Sequence, residues 1–252
     1  MSRFFTVLLS SVVVLLSACG VPLVAHAPVP LPSGVETAGE TIYFGKSFPL
    51  GKPASEPEFV YERRVGSKDG VSEATHLTRT REGVIALADG ATYSESYELI
   101  EYTLYFDQQG RTGGIEVDER GVTLTYDGKS KTERAQGPVV VGPTLVGFLF
   151  HRLDALRAGE KLVVRFAVLD RLETMPFEFT AESAPDGQTK IVMKAQSALV
   201  ALAIAPVHFT FETATGKLVR IEGRVPPKLL RDGALYDFDA RVEYEFSAPA
   251  YR

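Results

Sequence analysis

The chain has no tryptophan, one cysteine, three methionines and four histidines in 252 residues. A single cysteine excludes an intramolecular disulfide, and with it the stapled frameworks of small exported domains. His26, His76, His151 and His208 provide no pair at the i, i+4 helical or i, i+2 strand spacing common in zinc sites, so no metal or other cofactor is expected. His151 and Asp154 can share a helix face, where the ordinary reading is a surface hydrogen bond or ion pair. No G-x-S-x-G elbow occurs. The glycine-rich GRTGG at 110–114 lacks the Lys-Ser or Lys-Thr of a phosphate loop, so a hairpin turn is expected there. No catalytic residue stands out, and the chain is not expected to be an enzyme. Basic charge is also short: 27 Lys and Arg face 32 Asp and Glu, a balance that disfavours nucleic acid and gives no polybasic patch for anionic lipid.

The amino terminus is rich in what the rest lacks. Arg3 precedes an apolar run from Phe4 to Leu16, too short for a comfortable membrane span and ordered like a secretory signal. Ser17 and Ala18 then stand directly before the only cysteine. Leu16-Ser17-Ala18-Cys19 resembles the lipobox of bacterial lipoproteins. The resemblance implies acylation of the Cys19 thiol, cleavage before it, and a stable multi-chain membrane anchor. Ordinary secretion with cleavage after Ala25-His26-Ala27 is the alternative. Gly20 stands where many inner-membrane lipoproteins carry Asp, so the resemblance implies an outer-membrane protein facing the periplasm.

Residues 1–18 thus read as the signal and 19–56 as a lipidated tether, extended by Pro22, Pro28, Pro30, Pro32, Pro49 and Pro53. Residues 57–252 suffice for one domain with a sizeable core. Period-two alternation recurs along this block. In LYDFDARVEYEF, 235–246, Tyr236, Phe238, Ala240, Val242, Tyr244 and Phe246 form one face and charged residues the other. Residues 98–106, 160–169, 122–126, 177–179, 207–211 and 59–61 repeat the pattern. Between them GSKDG, ADG, DQQG, DERG, YDGK, APDG and ETATG read as turns. The fold class expected is mainly β: a curved antiparallel sheet or incomplete barrel of about ten or eleven strands.

PTLVGFLFHRLDALRAGE, 143–160, breaks the alternation. Leu145, Leu149, Leu153 and Leu156 fall at helical spacing, Val146 and Phe150 widen the stripe, and Pro143 and Gly159 suit its two ends. So apolar a helix is expected to pack against the sheet or plug its mouth. SALVALAIAP at 197–206 is ambiguous between strand and helix.

A lipobox, a curved sheet with an aromatic and aliphatic face and one apolar helix together resemble the lipoprotein-carrier superfamily of LolA and LolB, and exported β-proteins thought to share its fold. The resemblance implies an incomplete barrel whose interior holds acyl chains, with the helix as a lid. On that basis Leu145, Phe148, Leu149 and Phe150 are the expected lid, facing Tyr102, Leu104, Phe106, Phe166, Phe238 and Tyr244. The expected partners are a lipid or other hydrophobic molecule and, through acylated Cys19, a membrane. The alternative is a docking lipoprotein of an envelope complex, its partner protein unknown and its core filled.

Overall fold

A computed structural model describes residues 20–31, 39–53, 55–68, 71–134 and 136–246. The signal and Cys19 lie outside the described residues. The strands are β1 Val21–Pro22, β2 Glu40–Pro49, β3 Phe59–Lys68, β4 Val71–Thr80, β5 Ile85–Tyr93, β6 Leu99–Phe106, β7 Arg111–Asp118, β8 Gly121–Tyr126, β9 Lys129–Glu133 and β10 Val139–Val140. After the helices α1 Gly142–Phe150 and α2 Leu153–Arg157 come β11 Leu162–Val168, β12 Glu173–Glu182 and β13 Gln188–Ala195. Helix α3, Ala198–Ala203, precedes β14 Val207–Glu212, β15 Leu218–Arg231 and β16 Ala234–Phe246.

All sixteen strands belong to one curved sheet, antiparallel except for the short parallel pair β10–β11. The hydrogen-bonded path runs from β10 through β11 to β16, then β2 to β9, and does not close on itself. Side chains cross the seam instead. The Glu133 carboxylate on β9 accepts from the Thr174 backbone N–H on β12 at 2.8 Å and from the Thr174 hydroxyl.

Sixteen strands among the described residues replace the ten or eleven expected, and three helices replace one. The additional strands carry little apolar alternation: β9 is KSKTE, with no apolar residue to mark a face. The tether expected over 19–56 also needs correction, because β2 lies inside it and is laddered to β16 on one side and β3 on the other. Its prolines do not forbid this, since Pro49 closes the strand. ADG at 88–90 is not a turn but the middle of β5. GRTGG is not a turn either. The reversal is the short 3₁₀ turn Asp107–Gln109, and Gly113 and Gly114 sit within β7.

The long β15–β16 hairpin bends where Pro226 and Pro227 interrupt its ladder, between Val225 and Leu229. The Lys228 backbone groups freed there are taken by Gln108, which accepts from Lys228 N and donates to Lys228 O, both at 2.8 Å. The hairpin thereby reaches across to the β6–β7 turn.

Helix α1 fills the concavity. Seven of its nine residues, Pro143 to Leu149, are buried, and Phe148 and Leu149 are wholly inaccessible. It starts where Val141 adopts extended geometry and Thr144 Oγ1 accepts the Val141 N–H at 3.2 Å. The single expected helix divides at His151–Arg152, where Arg152 leaves helical geometry and lays its guanidinium 3.6 Å from the Phe148 ring centroid. Gly147 permits the close fit: a Cβ there would stand 1.9 Å from the ring of Tyr97, which stacks on Tyr93.

Candidate functional site

The fold sets a row of inward-facing residues across five strands. Register pairs Tyr43 of β2 with Arg63 of β3, Arg63 with His76 of β4, His76 with Asp89 of β5, and Asp89 with Leu104 of β6. Directly opposed side chains in such a ladder stand close enough to bond one another. The three polar members are nearly inaccessible: Arg63 is 2%, His76 3% and Asp89 5% exposed.

Arg63 Nη1 donates to His76 Nε2 at 2.7 Å and to the Pro143 carbonyl at 2.6 Å, tying the first turn of α1 to the sheet. A guanidinium only donates, so Nε2 must accept, and the proton of His76 resides on Nδ1. Nδ1 then donates to the Tyr61 hydroxyl. Burial and the Arg63 charge both hold the His76 pKa well below its ordinary value, in agreement with that neutral tautomer. The 3.6 Å approach of His76 Nδ1 to Asp89 Oδ1 is therefore not an ion pair.

Asp89 Oδ2 accepts from the Tyr102 hydroxyl, a diagonal cross-strand neighbour, at 3.1 Å. Burial pushes the Asp89 pKa up to about 7, against the opposing pull of Tyr102 and Arg63. Burial also works against the Arg63 cation, but the surrounding hydroxyls of Tyr43, Tyr93, Tyr61 and Tyr97 outweigh it and Arg63 stays charged. At neutral pH the interior thus holds a full positive charge beside a carboxyl whose ionisation burial opposes. Three buried polar atoms here, Arg63 Nη2, Asp89 Oδ1 and the Tyr93 hydroxyl, make no well-aligned hydrogen bond, although the Tyr93 hydroxyl lies near enough to Arg63 and Tyr97 to interact with both. Leaving such atoms unmet costs about 1–3 kcal/mol each.

Of the residues expected to form a lid and its facing wall, the structure gathers most in one core. Leu145, Phe148, Leu149, Tyr102, Leu104 and Phe106 are buried together, with Phe166 and Tyr244 packed partly buried against them. Phe150 is only half-buried, its ring against Gly216. Phe238 is set apart, in a second core with Phe59, Ala86, Leu229, Ala240 and Val242, away from α1. His151 lies exposed at the end of α1, and Asp154 pairs with Arg157 at 3.3 Å. No group of three or more His, Cys, Asp or Glu side chains converges among the described residues.

A groove of about 190 Å³ is lined by Glu73, Thr75, Thr92, Glu101, Thr103 and Tyr105, with Ala74, Asp89, Gly90, Ala91 and Tyr102 between them. The first six alternate with the inward Ala74, Ala91 and Tyr102, so the groove belongs to the outer, polar face. The apolar interior itself is occupied by α1.

No family model matches this sequence, and no curated protein does. Two solved structures resemble the chain in its course. A β-barrel-like protein of the domain of unknown function DUF1849 from Brucella abortus is 7% identical with a TM-score of 0.47, over 82% of this chain and 95% of that one. A DUF1089 family protein from Pseudomonas aeruginosa is 11% identical with a TM-score of 0.31, over 86% of this chain and 95% of that one.

The residues that sequence reasoning missed are Tyr61, Arg63, His76 and Asp89. A signal for them existed. Arg63 is in phase with Phe59, Tyr61 and Val65, and Asp89 is in phase with Leu87, Ala91 and Tyr93. Each is a charge on the face its strand otherwise keeps apolar or aromatic.

Proposed function

We propose that this protein is a membrane-anchored envelope lipoprotein that binds an amphipathic, lipid-like molecule with an anionic head. The apolar interior now filled by α1 receives the chain of the guest, and the Arg63–His76–Asp89 row receives its head. The observation that carries this reading is the buried Arg63 charge, whose Nη1 donates only to neutral acceptors and whose Nη2 finds no well-aligned acceptor beyond the nearby Tyr93 hydroxyl. A carboxylate or phosphate would satisfy that nitrogen and replace the Pro143 carbonyl on Nη1. Entry requires α1 to move, and the helix meets this row at its first turn, where the Pro143 carbonyl accepts from Arg63 and Gly142 lies against Asp89. The anchor rests on the resemblance of Leu16-Ser17-Ala18-Cys19 to a lipobox.

Binding is tested by titrating residues 20–252 with a fluorescent fatty acid and with its methyl ester. The acid binds with one site per chain, the ester binds at least about ten-fold more weakly, and Arg63→Met removes the difference. Equal binding of acid and ester would refute the role of Arg63.

A second reading, a docking lipoprotein with a permanently filled core, is favoured by the complete burial of Phe148 and Leu149. It predicts no binding of either probe.

A further inference from the structure

The exposed apolar side chains are not scattered. Eleven large hydrophobic residues are exposed among the described residues. Eight of them lie at one end of the sheet, the end at which β15 turns into β16. Leu230 is beside that turn, and Val21, Leu23 and Val24 lie along the segment paired to it: β1 pairs with Ala234 and Leu235, and Leu23 N donates to Gly233 O at 2.9 Å. Leu50 follows β2 and Val84 lies in the β4–β5 turn, both at that end.

Leu199 and Leu202, 77% and 82% exposed, project from α3 between β13 and β14. This α3 segment presents apolar or small residues at nearly every position of ALVALAIAP, with Val200 turned partly inward. A helix that buries almost none of its leucines contributes nothing to the core that would explain them. The remaining three exposed residues, Phe44, Ile100 and Val163, are spread over the rest of the sheet.

Gly20 packs against the Tyr236 ring at the start of β16, so closely that a Cβ would stand 2.4 Å from it. The residue bonded to Gly20 is Cys19. The point at which the proposed anchor joins the body is thus at the same end as the apolar rim.

From this juxtaposition we infer that the hairpin end of the sheet is a membrane-contact surface, with Leu199, Leu202, Val84 and Leu230 embedded in the bilayer that the Cys19 acyl chains enter. The inference rests on the anchored reading for its orientation. The rim sits in the interfacial layer, at the depth of about 5–10 Å where amphipathic elements bury their apolar faces. The anchor then holds the body upright on this rim, and the α1 end points away from the membrane.

The test uses the acylated chain in vesicles of phosphatidylethanolamine and phosphatidylglycerol. An acylated Cys19 has no free thiol, so Leu199→Cys, Leu202→Cys, Ile100→Cys and Val163→Cys each offer one site for a fluorophore. Lipids carrying a quencher on the acyl chain should quench labels at 199 and 202 several-fold more than labels at 100 and 163. Equal quenching at all four positions, or none at 199 and 202, overturns the inference.

Mass spectrometry of the same preparation reports acylation separately. A chain without acyl groups refutes the anchor, and residues 20–252 then test the rim alone. In that chain, Leu199→Asp with Leu202→Asp lowers partition into the same vesicles by at least about ten-fold. Unchanged partition refutes the rim whatever the state of Cys19.

Discussion

Replacing Asp89 by asparagine should flatten the dependence of stability on pH. In the folded chain burial raises the Asp89 pKa from 3.8 to about 7, with Tyr102 and Arg63 pulling the other way. In the unfolded chain the same carboxyl releases its proton near its ordinary value. Between those two values the folded state therefore holds the extra proton, and the unfolding free energy falls as pH rises. The contribution is complete below the unfolded pKa and lost above the folded one. At about 1.4 kcal/mol per unit, a shift of this size corresponds to about 2–4 kcal/mol lost between pH 4 and pH 8.

Asparagine has no proton to exchange there and still accepts the Tyr102 hydroxyl. The assay is urea unfolding of residues 20–252 followed by far-UV circular dichroism, since the chain has no tryptophan to report. The wild-type chain should lose more stability than Asp89→Asn as pH rises through this window, by about 2–4 kcal/mol. Parallel loss in the two proteins would refute the burial and partial neutralisation of Asp89.

The packing of α1 yields two further expectations. Phe148→Ala should cost about 3–5 kcal/mol in the same unfolding assay, because Phe148 is wholly inaccessible. Gly147→Ala should lower the melting temperature although alanine improves helix propensity by about 1 kcal/mol, and Tyr97→Ala should restore it, since Tyr97 occupies the space the new Cβ needs. At the seam, Glu133→Ala removes the acceptor of the Thr174 N–H and hydroxyl. Amide hydrogen exchange in β9 and at Thr174 should accelerate, with a stability loss of about 1–3 kcal/mol.

Alternation made the strongly amphipathic strands legible. β16 and β6 each bury one side of a period-two pattern and sit where the sequence places them; β11 also forms there but fully buries only Val164. The YDGK turn is equally plain, since Asp127 and Gly128 both adopt positive φ in the two-residue link of β8 to β9. Less could be read where the inward face is not apolar. β4 turns Ala74, His76 and Thr78 inward, and β5 turns in Leu87, Asp89, Ala91 and Tyr93, so neither displays a clean hydrophobic period.

Asp89 followed by Gly90 has the local chemistry of a turn, and sheet pairing on both sides overrides it. The Arg63–His76–Asp89 row exists only through register. The three residues are separated by 13 positions each, a spacing that acquires meaning once two hairpins of known length bring them abreast. The helical stretch at 142–157 was legible because its leucines recur at helical spacing. Its division at Arg152 was not, since the break follows from Arg152 turning back over Phe148.

The most direct test of the central claim is native mass spectrometry of residues 20–252, exported to a bacterial periplasm and purified without detergent, beside Arg63→Met. A stoichiometric adduct is expected on the wild-type chain, identified by solvent extraction as an anionic amphiphile, with its loss or exchange for neutral species in Arg63→Met. A bare protein mass that persists after incubation with membrane vesicles would contradict that claim and leave the filled-core docking protein.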